Sequence, residues 1–225
     1  MLPPLRVLAL SWRRFNRYLL PMVGSTLLIL ALSIFSLGIL FGPLMTGFQQ
    51  ATLKTRGGGP WSLATVFSYL AWRTVAMGIF VNLPALLSLL LPSGKTPGGS
   101  LAGWVLALGI AIAWDFLTFY GTVLIGEFSS LGSALRANLA LMARGGWVNH
   151  FWLFLAAGLL TWLSEWPLRF FLGPKGLRGP ADLLLVYLVA DLLFTTYLQL
   201  LSPVALELLR PEPVTRGPGL SDQTR

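Results

Sequence analysis

Apolar residues run along this chain in long blocks, cut by short segments rich in Arg, Gly and Pro. The opening block is periodic. Leu5, Leu8, Trp12, Phe15 and Leu19 share one face at 100° per residue, and Arg6, Arg13, Arg14 and Arg17 share the other. The pattern predicts an amphipathic helix over residues 1–17, lying in a membrane interface with its arginines near anionic headgroups. Arg13-Arg14 also forms a twin-arginine pair, and Ala31-Leu32-Ser33 faintly resembles a cleavage site. The apolar stretch continues past Ser33 and more follow, so a retained anchor is expected.

From Tyr18 to Leu53 no residue is charged. As one helix the run would be roughly 54 Å long, against a hydrocarbon core of about 30 Å. It is either one over-long kinked helix or a hairpin of two short ones, with Ser33, Ser36 and Gly38 offering the turn. Further spans are predicted over Ala71–Leu91 (kinked near Pro84, closed by Pro92-Ser93-Gly94), Leu101–Ile125, Asn149–Leu172 (bent at Pro167, closed by Gly173-Pro174) and Leu183–Leu206. The Pro- and Gly-rich segment 211–225 is expected to be a disordered tail.

The basic residues choose the number of spans. With six, one side carries Arg6, Arg13, Arg14, Arg17, Lys54, Arg56, Arg73, Arg136, Arg144, Arg210, Arg216 and Arg225; the other carries only Lys95, Arg169, Lys175 and Arg178. With five, the same residues divide evenly. Positive charge concentrates on the cytoplasmic side, so the expected fold is all-α: a polytopic transmembrane helix bundle of about six spans, the first two a short hairpin, in a single domain over 1–210. Both termini are placed in the cytoplasm. Trp61, Trp72, Trp104, Trp147, Trp152 and Trp166 fall near the predicted span ends, at headgroup level; Trp114 falls near a span centre.

Composition agrees. Hydrophobic residues make up 55% of the chain and charged residues 11%, where soluble domains carry about 25% charge. The net charge of +8 would suggest nucleic acid in a soluble protein. Here the basic residues sit between apolar runs, so no nucleic-acid partner is expected. With no cysteine and one histidine, His150, the chain lacks the usual metal-ligand set, and neither metal nor cofactor is expected.

Two stretches are distinctive. One is Gly42-Pro43-Leu44 with Gly47-Phe48, the Arg56-Gly57-Gly58-Gly59-Pro60 loop and Phe67. The other runs from Phe119 through Ser133-Ala134-Leu135-Arg136, Asn138 and Arg144-Gly145 to Asn149 and Phe151-Trp152. Together they make the chain resemble the bacterial six-helix membrane proteins of unknown function related to the membrane domain of glycerophosphodiester phosphodiesterases. The resemblance implies six helices and a plasma (inner) membrane location, and no chemistry.

Asp115 and Asp191 fall near the bilayer midplane, where a charge costs about 2.5–3.5 kcal/mol on the insertion scale. Asp115, Thr118 and Thr122 share one helical face; Asp191, Thr195 and Ser202 share another. Two such stripes either form interhelical hydrogen bonds or line a polar path. Glu165 and Arg169 form an i,i+4 pair, and Asn82 with Pro84 marks a kink. Glu127, Ser129, Ser130 and His150 do not make a catalytic set unless brought together across a loop, and Gly57-Gly58-Gly59 lacks the features of a P-loop. The expectation is a non-enzymatic integral membrane protein acting in membrane organisation or as an accessory subunit. Its partners would be anionic lipid headgroups at Arg6, Arg13, Arg14, Arg17, Lys54 and Arg56, and a second copy or another membrane protein. The alternative is a transporter or channel-like protein using Asp115 and Asp191.

Overall fold

The charge-free run from Tyr18 to Leu53 folds back on itself. In the computed structural model, which describes residues 2–84, 87, 101–171 and 181–210, helix α1 (Pro4–Arg17) is followed at 93° by α2 (Leu19–Phe35), and the chain returns as α3 (Phe41–Lys54). The residues that suggest the turn make it. Gly38 N–H donates to Ser33 O at 2.6 Å and Leu37 N–H to Ile34 O at 3.1 Å. Ser36 Oγ accepts from Leu40 N–H at 3.1 Å. This is the two-bond helix stop that glycine usually closes from the left-handed region; Gly38 has φ 85°, and Leu37, with φ 52°, takes the position before it.

A 3-10 turn (Arg56–Gly58) leads to α4 (Leu63–Phe67) and α5 (Trp72–Val81). Then come α6 (Leu101–Leu117), α7 (Gly121–Leu124), α8 (Leu131–Gly145), α9 (Trp147–Phe171), α10 (Ala181–Leu198) and α11 (Leu201–Leu209). Every regular element among the described residues is helical. Ser62 and Ser130 start α4 and α8 alike, each accepting from the N–H three residues on.

Helix α3 is the centre, packed by α2, α4, α5, α7 and α11, and every residue from Gly42 to Thr52 is buried. Glycine makes this possible. A β-carbon on Gly42 would lie 2.7 Å from Gly78 Cα in α5, and one on Gly47 would lie 2.6 Å from the Val66 carbonyl carbon in α4. Small residues let helix backbones approach in this way. Phe48 then meets Trp61 at 5.0 Å between ring centroids, and the Trp61 indole donates to Ser25 Oγ on α2.

Helix α1 lies across one end of the bundle. Leu2 N–H donates to Gly145 O at 2.9 Å, and Tyr197 Oη–H donates to Leu8 O at 3.1 Å. The packed stripe is Val7, Ser11 and Phe15. This corrects the expected division into two faces. Leu5 and Trp12 remain exposed, at 81% and 54%, between the packed stripe and exposed Arg6, Arg13 and Arg17. The apolar arc is therefore split between the bundle and the surroundings.

The expected spans are altered in two places. Leu101–Ile125 is not one helix: it breaks at residues 118–120, where Asn138 of α8 accepts from Tyr120 N–H at 2.8 Å and donates to Leu117 O. The third span is interrupted at Asn82, two residues before the expected kink at Pro84: Asn82 Nδ2 reaches back to Gly78 O at 2.8 Å, and Leu83 and Pro84 are helical again. Among the described helices, Leu185–Leu209 alone is long and apolar enough to cross a membrane; α1 with α2 qualifies only as a bent pair. Trp72–Val81, Gly109–Leu124 and Trp147–Thr161 are shorter apolar helices. Pro92-Ser93-Gly94, Lys95, Gly173-Pro174, Lys175, Arg178 and the tail 211–225 lie outside the described residues, as do the side chains of Trp104, Glu165, Trp166, Pro167 and Arg169.

Candidate functional site

The C-terminal half of α3 carries two adjacent glutamines into the core, both less than a tenth exposed. Adjacent helix positions point about 100° apart, so the two amides serve different neighbours. Gln49 Nε2 donates to Ser202 Oγ on α11 at 3.2 Å. Gln50 Nε2 donates to Val123 O in α7 at 2.8 Å and to Glu127 Oε1 at 3.4 Å. Gly126 leaves room for this, since a β-carbon there would lie 3.0 Å from Gln50 Nε2. The other oxygen of Glu127 accepts from Arg210, just past α11. Burial and the Glu127 carboxylate both push the Tyr69 phenol above its ordinary range, with Arg73 opposing.

A second chain of contacts lies beside the first. Glu207 Oε2 accepts from Arg14 Nη2 at 2.8 Å, and Glu207 Oε1 lies 3.5 Å from Arg56 Nε. Arg14 Nη1 also reaches Thr52 O at 3.5 Å, near the end of α3. Glu207 and Arg210 are three residues apart on the last turn of α11. That turn therefore joins the Gln50–Glu127 chain to the Arg14–Glu207–Arg56 cluster. Arg14, Arg17, Lys54 and Arg210 lie in or beside the last turns of α1, α3 and α11, and cations there offset the negative ends of helix dipoles. Arg17 Nη2 lies 3.2 Å from where a Gly58 β-carbon would be, and Tyr18 Oη–H donates to Gly59 O at 2.6 Å. Lys54 Nζ donates to Thr65 Oγ1 at 3.3 Å.

The six basic residues assigned to headgroups thus divide. Arg14 and Arg56 share Glu207, Lys54 turns to Thr65, and Arg17 covers Gly58. Arg6 and Arg13 are exposed on α1.

The two polar stripes are not joined. Asp115 is exposed and Asp191 half-buried, and neither carboxylate is hydrogen-bonded or ion-paired to a described residue. Thr118 Oγ1–H donates to Trp114 O on its own helix, and the Trp114 indole donates to Phe80 O at 2.9 Å. Thr122 is buried and Thr195 half-buried. Of the stripe residues, only Ser202 joins the polar cluster, through Gln49.

His150 is buried, at 2% exposure. Its Nε2 lies 2.6 Å from Tyr120 Oη and its Nδ1 3.0 Å from Gly146 O. Nδ1–H donating to the carbonyl leaves Nε2 to accept from the phenol. Ser130 caps α8, so Glu127, Ser130 and His150 do not converge.

Sequence reading missed Gln49, Gln50, Glu207 and Arg210. The available signal was the Gln pair, the longest polar side chains in a run without charge. Thr46 Oγ1 and Gln49 Oε1 are buried with no donor among the described residues. No group of three or more His, Asp or Glu placed to hold a metal occurs among the described residues. No known protein family, curated protein or solved structure matches the chain.

Proposed function

We propose that the chain is a multi-pass protein of the plasma (inner) membrane, with both termini cytoplasmic, that acts without enzymatic chemistry as a membrane scaffold or accessory subunit. One observation carries the reading: apart from the exposed Asp115 of α6, apolar and charged surface are segregated. Exposed apolar side chains cover the outer sides of helices along their length: Leu20, Leu27 and Ile34 on α2, Leu155 and Leu159 on α9, Leu185, Val186 and Val189 on α10. Exposed apolar surface of that extent calls for a non-aqueous partner. The charged contacts of Arg14, Arg56, Glu127, Glu207 and Arg210 gather at one end, where the carboxylates are engaged by arginine. A polar set occupied in holding helices together supports a structural role. The exposed arginines of α1, Arg6, Arg13 and Arg17, face the same end and suit anionic headgroups.

The transport reading keeps one observation, the absence of a described partner for Asp115 or Asp191. A single experiment separates the two. A strain lacking the protein is complemented with the Asp115→Asn/Asp191→Asn double variant, with insertion checked by resistance to alkaline carbonate extraction. Full complementation by the inserted variant supports the scaffold. Failure of a folded, inserted variant supports transport. Release of the wild-type chain into the carbonate supernatant refutes the membrane assignment.

A further inference from the structure

The tip between α2 and α3 is unlike a loop that meets water. Turns at an aqueous surface are rich in Gly, Pro, Asn, Asp and Ser. Here Ile34, Phe35, Leu37 and Ile39 project outward, with Leu37 93% exposed. Leu37 sits in the left-handed region, at a cost on the order of 1 kcal/mol that glycine would not incur. The apolar side chain is present despite that cost.

The N–H donors of the tip are bonded within the tip. The N–H groups of Ser36, Leu37, Gly38, Ile39 and Phe41 donate to the carbonyls of Leu32, Ile34, Ser33, Ser36 and Gly38, and Leu40 N–H donates to Ser36 Oγ. Water is not needed to satisfy any of these donors. For the donors that meets the condition hydrocarbon imposes, since an unpaired backbone group there costs several kcal/mol; the carbonyls of Phe35, Leu37 and Ile39 accept no bond from a described residue.

The hairpin is also short. Helix α2 has 17 residues and α3 has 14, which is roughly 25 Å and 21 Å of axial rise, against about 30 Å of hydrocarbon. Both arms start from the charged end. Lys54 closes α3, and α1 with Arg13 and Arg17 runs at 93° to α2.

We propose that α2 and α3 form a re-entrant hairpin. It enters and leaves the bilayer on the side of α1, and its tip ends among lipid acyl chains without crossing. The occupant of the exposed tip is hydrocarbon. The inference rests on the membrane reading above and deepens it: the hairpin contributes no full crossing, although the positive charge at its two ends stays on one side.

The chain has no cysteine, so single cysteines report cleanly. Leu37→Cys is tested beside Pro60→Cys, an exposed position at the charged end, in intact cells, inverted vesicles and detergent-denatured protein, using a membrane-impermeant maleimide. The expected result is labelling of Pro60→Cys in inverted vesicles, and labelling of Leu37→Cys only after denaturation. A bimane on Leu37→Cys is then expected to be quenched severalfold more by lipids spin-labelled at mid-chain than at the headgroup. Labelling of Leu37→Cys in intact cells, or preferential headgroup quenching, overturns the re-entrant hairpin and leaves the membrane reading standing. Labelling of both variants in carbonate-soluble protein overturns the membrane reading itself.

Discussion

Replacing Gly47 with alanine tests the packing at the centre of the fold. The added β-carbon would lie 2.6 Å from the Val66 carbonyl carbon and 2.7 Å from Val66 Cα. Non-bonded carbons settle at about 3.5–4.0 Å, so α3 and α4 must part by roughly 1 Å. The obstructing atoms are backbone, and no rotamer change relieves them. Overpacking costs about 1–3 kcal/mol, and a rigid neighbour places Gly47→Ala at the upper end. The displacement also loosens the Phe48–Trp61 contact and the Lys54–Thr65 hydrogen bond, which cross the same gap. For a chain of this size, 2–3 kcal/mol corresponds to a fall in melting temperature of roughly 4–12 °C. Gly24→Ala is the control, because a β-carbon there meets nothing within 4 Å; it is expected to be neutral or to stabilise by up to about 1 kcal/mol through helix propensity. The assay is thermal unfolding in detergent micelles. An unchanged melting temperature for Gly47→Ala, or an equal loss for Gly24→Ala, refutes the reasoning.

Gly42→Ala and Gly78→Ala are each expected to destabilise, and the double variant to cost less than the sum, because the two glycines face each other; a double-mutant cycle of unfolding free energies checks this. Asn138→Leu leaves the Tyr120 N–H and Leu117 carbonyl without their partner at the helix break, a loss of about 1–3 kcal/mol for each group, read as a lower unfolding midpoint in detergent. Tyr120→Phe removes the hydroxyl at His150 Nε2 and is expected to cost about 1–3 kcal/mol, whereas Phe119→Leu, which keeps that hydrogen bond and loses only edge-on ring contacts with Tyr120 and His150, falls short of that. Glu207→Gln weakens the hold on both Arg14 and Arg56 by on the order of 1–3 kcal/mol, and faster protease cleavage between α1 and α2 would report the loosened N-terminal helix.

How much of this was legible depended on where the information lay. The N-terminal helix was plain because its arginines and apolar residues repeat at helical spacing; the structure gives Pro4–Arg17. The hairpin was one of two readings of the long charge-free run; Ser33, Ser36 and Gly38 marked where it would turn, and all three take part in its hydrogen bonds. The faces of the helices were not. On the membrane reading proposed above, a leucine on a lipid-facing surface and one in the core have the same character, so periodicity does not separate Leu5, exposed, from Phe15, buried. The break at residues 118–120 was hidden for another reason: its cause, Asn138, lies about twenty positions away. Asp115 and Asp191 drew notice as charges, yet the side chains that tie helices together are the neutral Gln49 and Gln50, whose role appears only once Ser202, Val123 and Glu127 are brought beside them.

The clasp of α1 has a meaning for the order in which the protein is made. Two of its partners lie far along the chain: Leu8 waits for Tyr197 and Arg14 for Glu207, sequence separations of 189 and 193 residues. At translation rates of about 5–20 residues per second, α1 goes some 10–40 s without them. On the membrane reading proposed above, its apolar arc and its arginines meet the membrane surface through that interval. The clasp of α1 by Tyr197 and Glu207 thus closes only once α10 and α11 have been made.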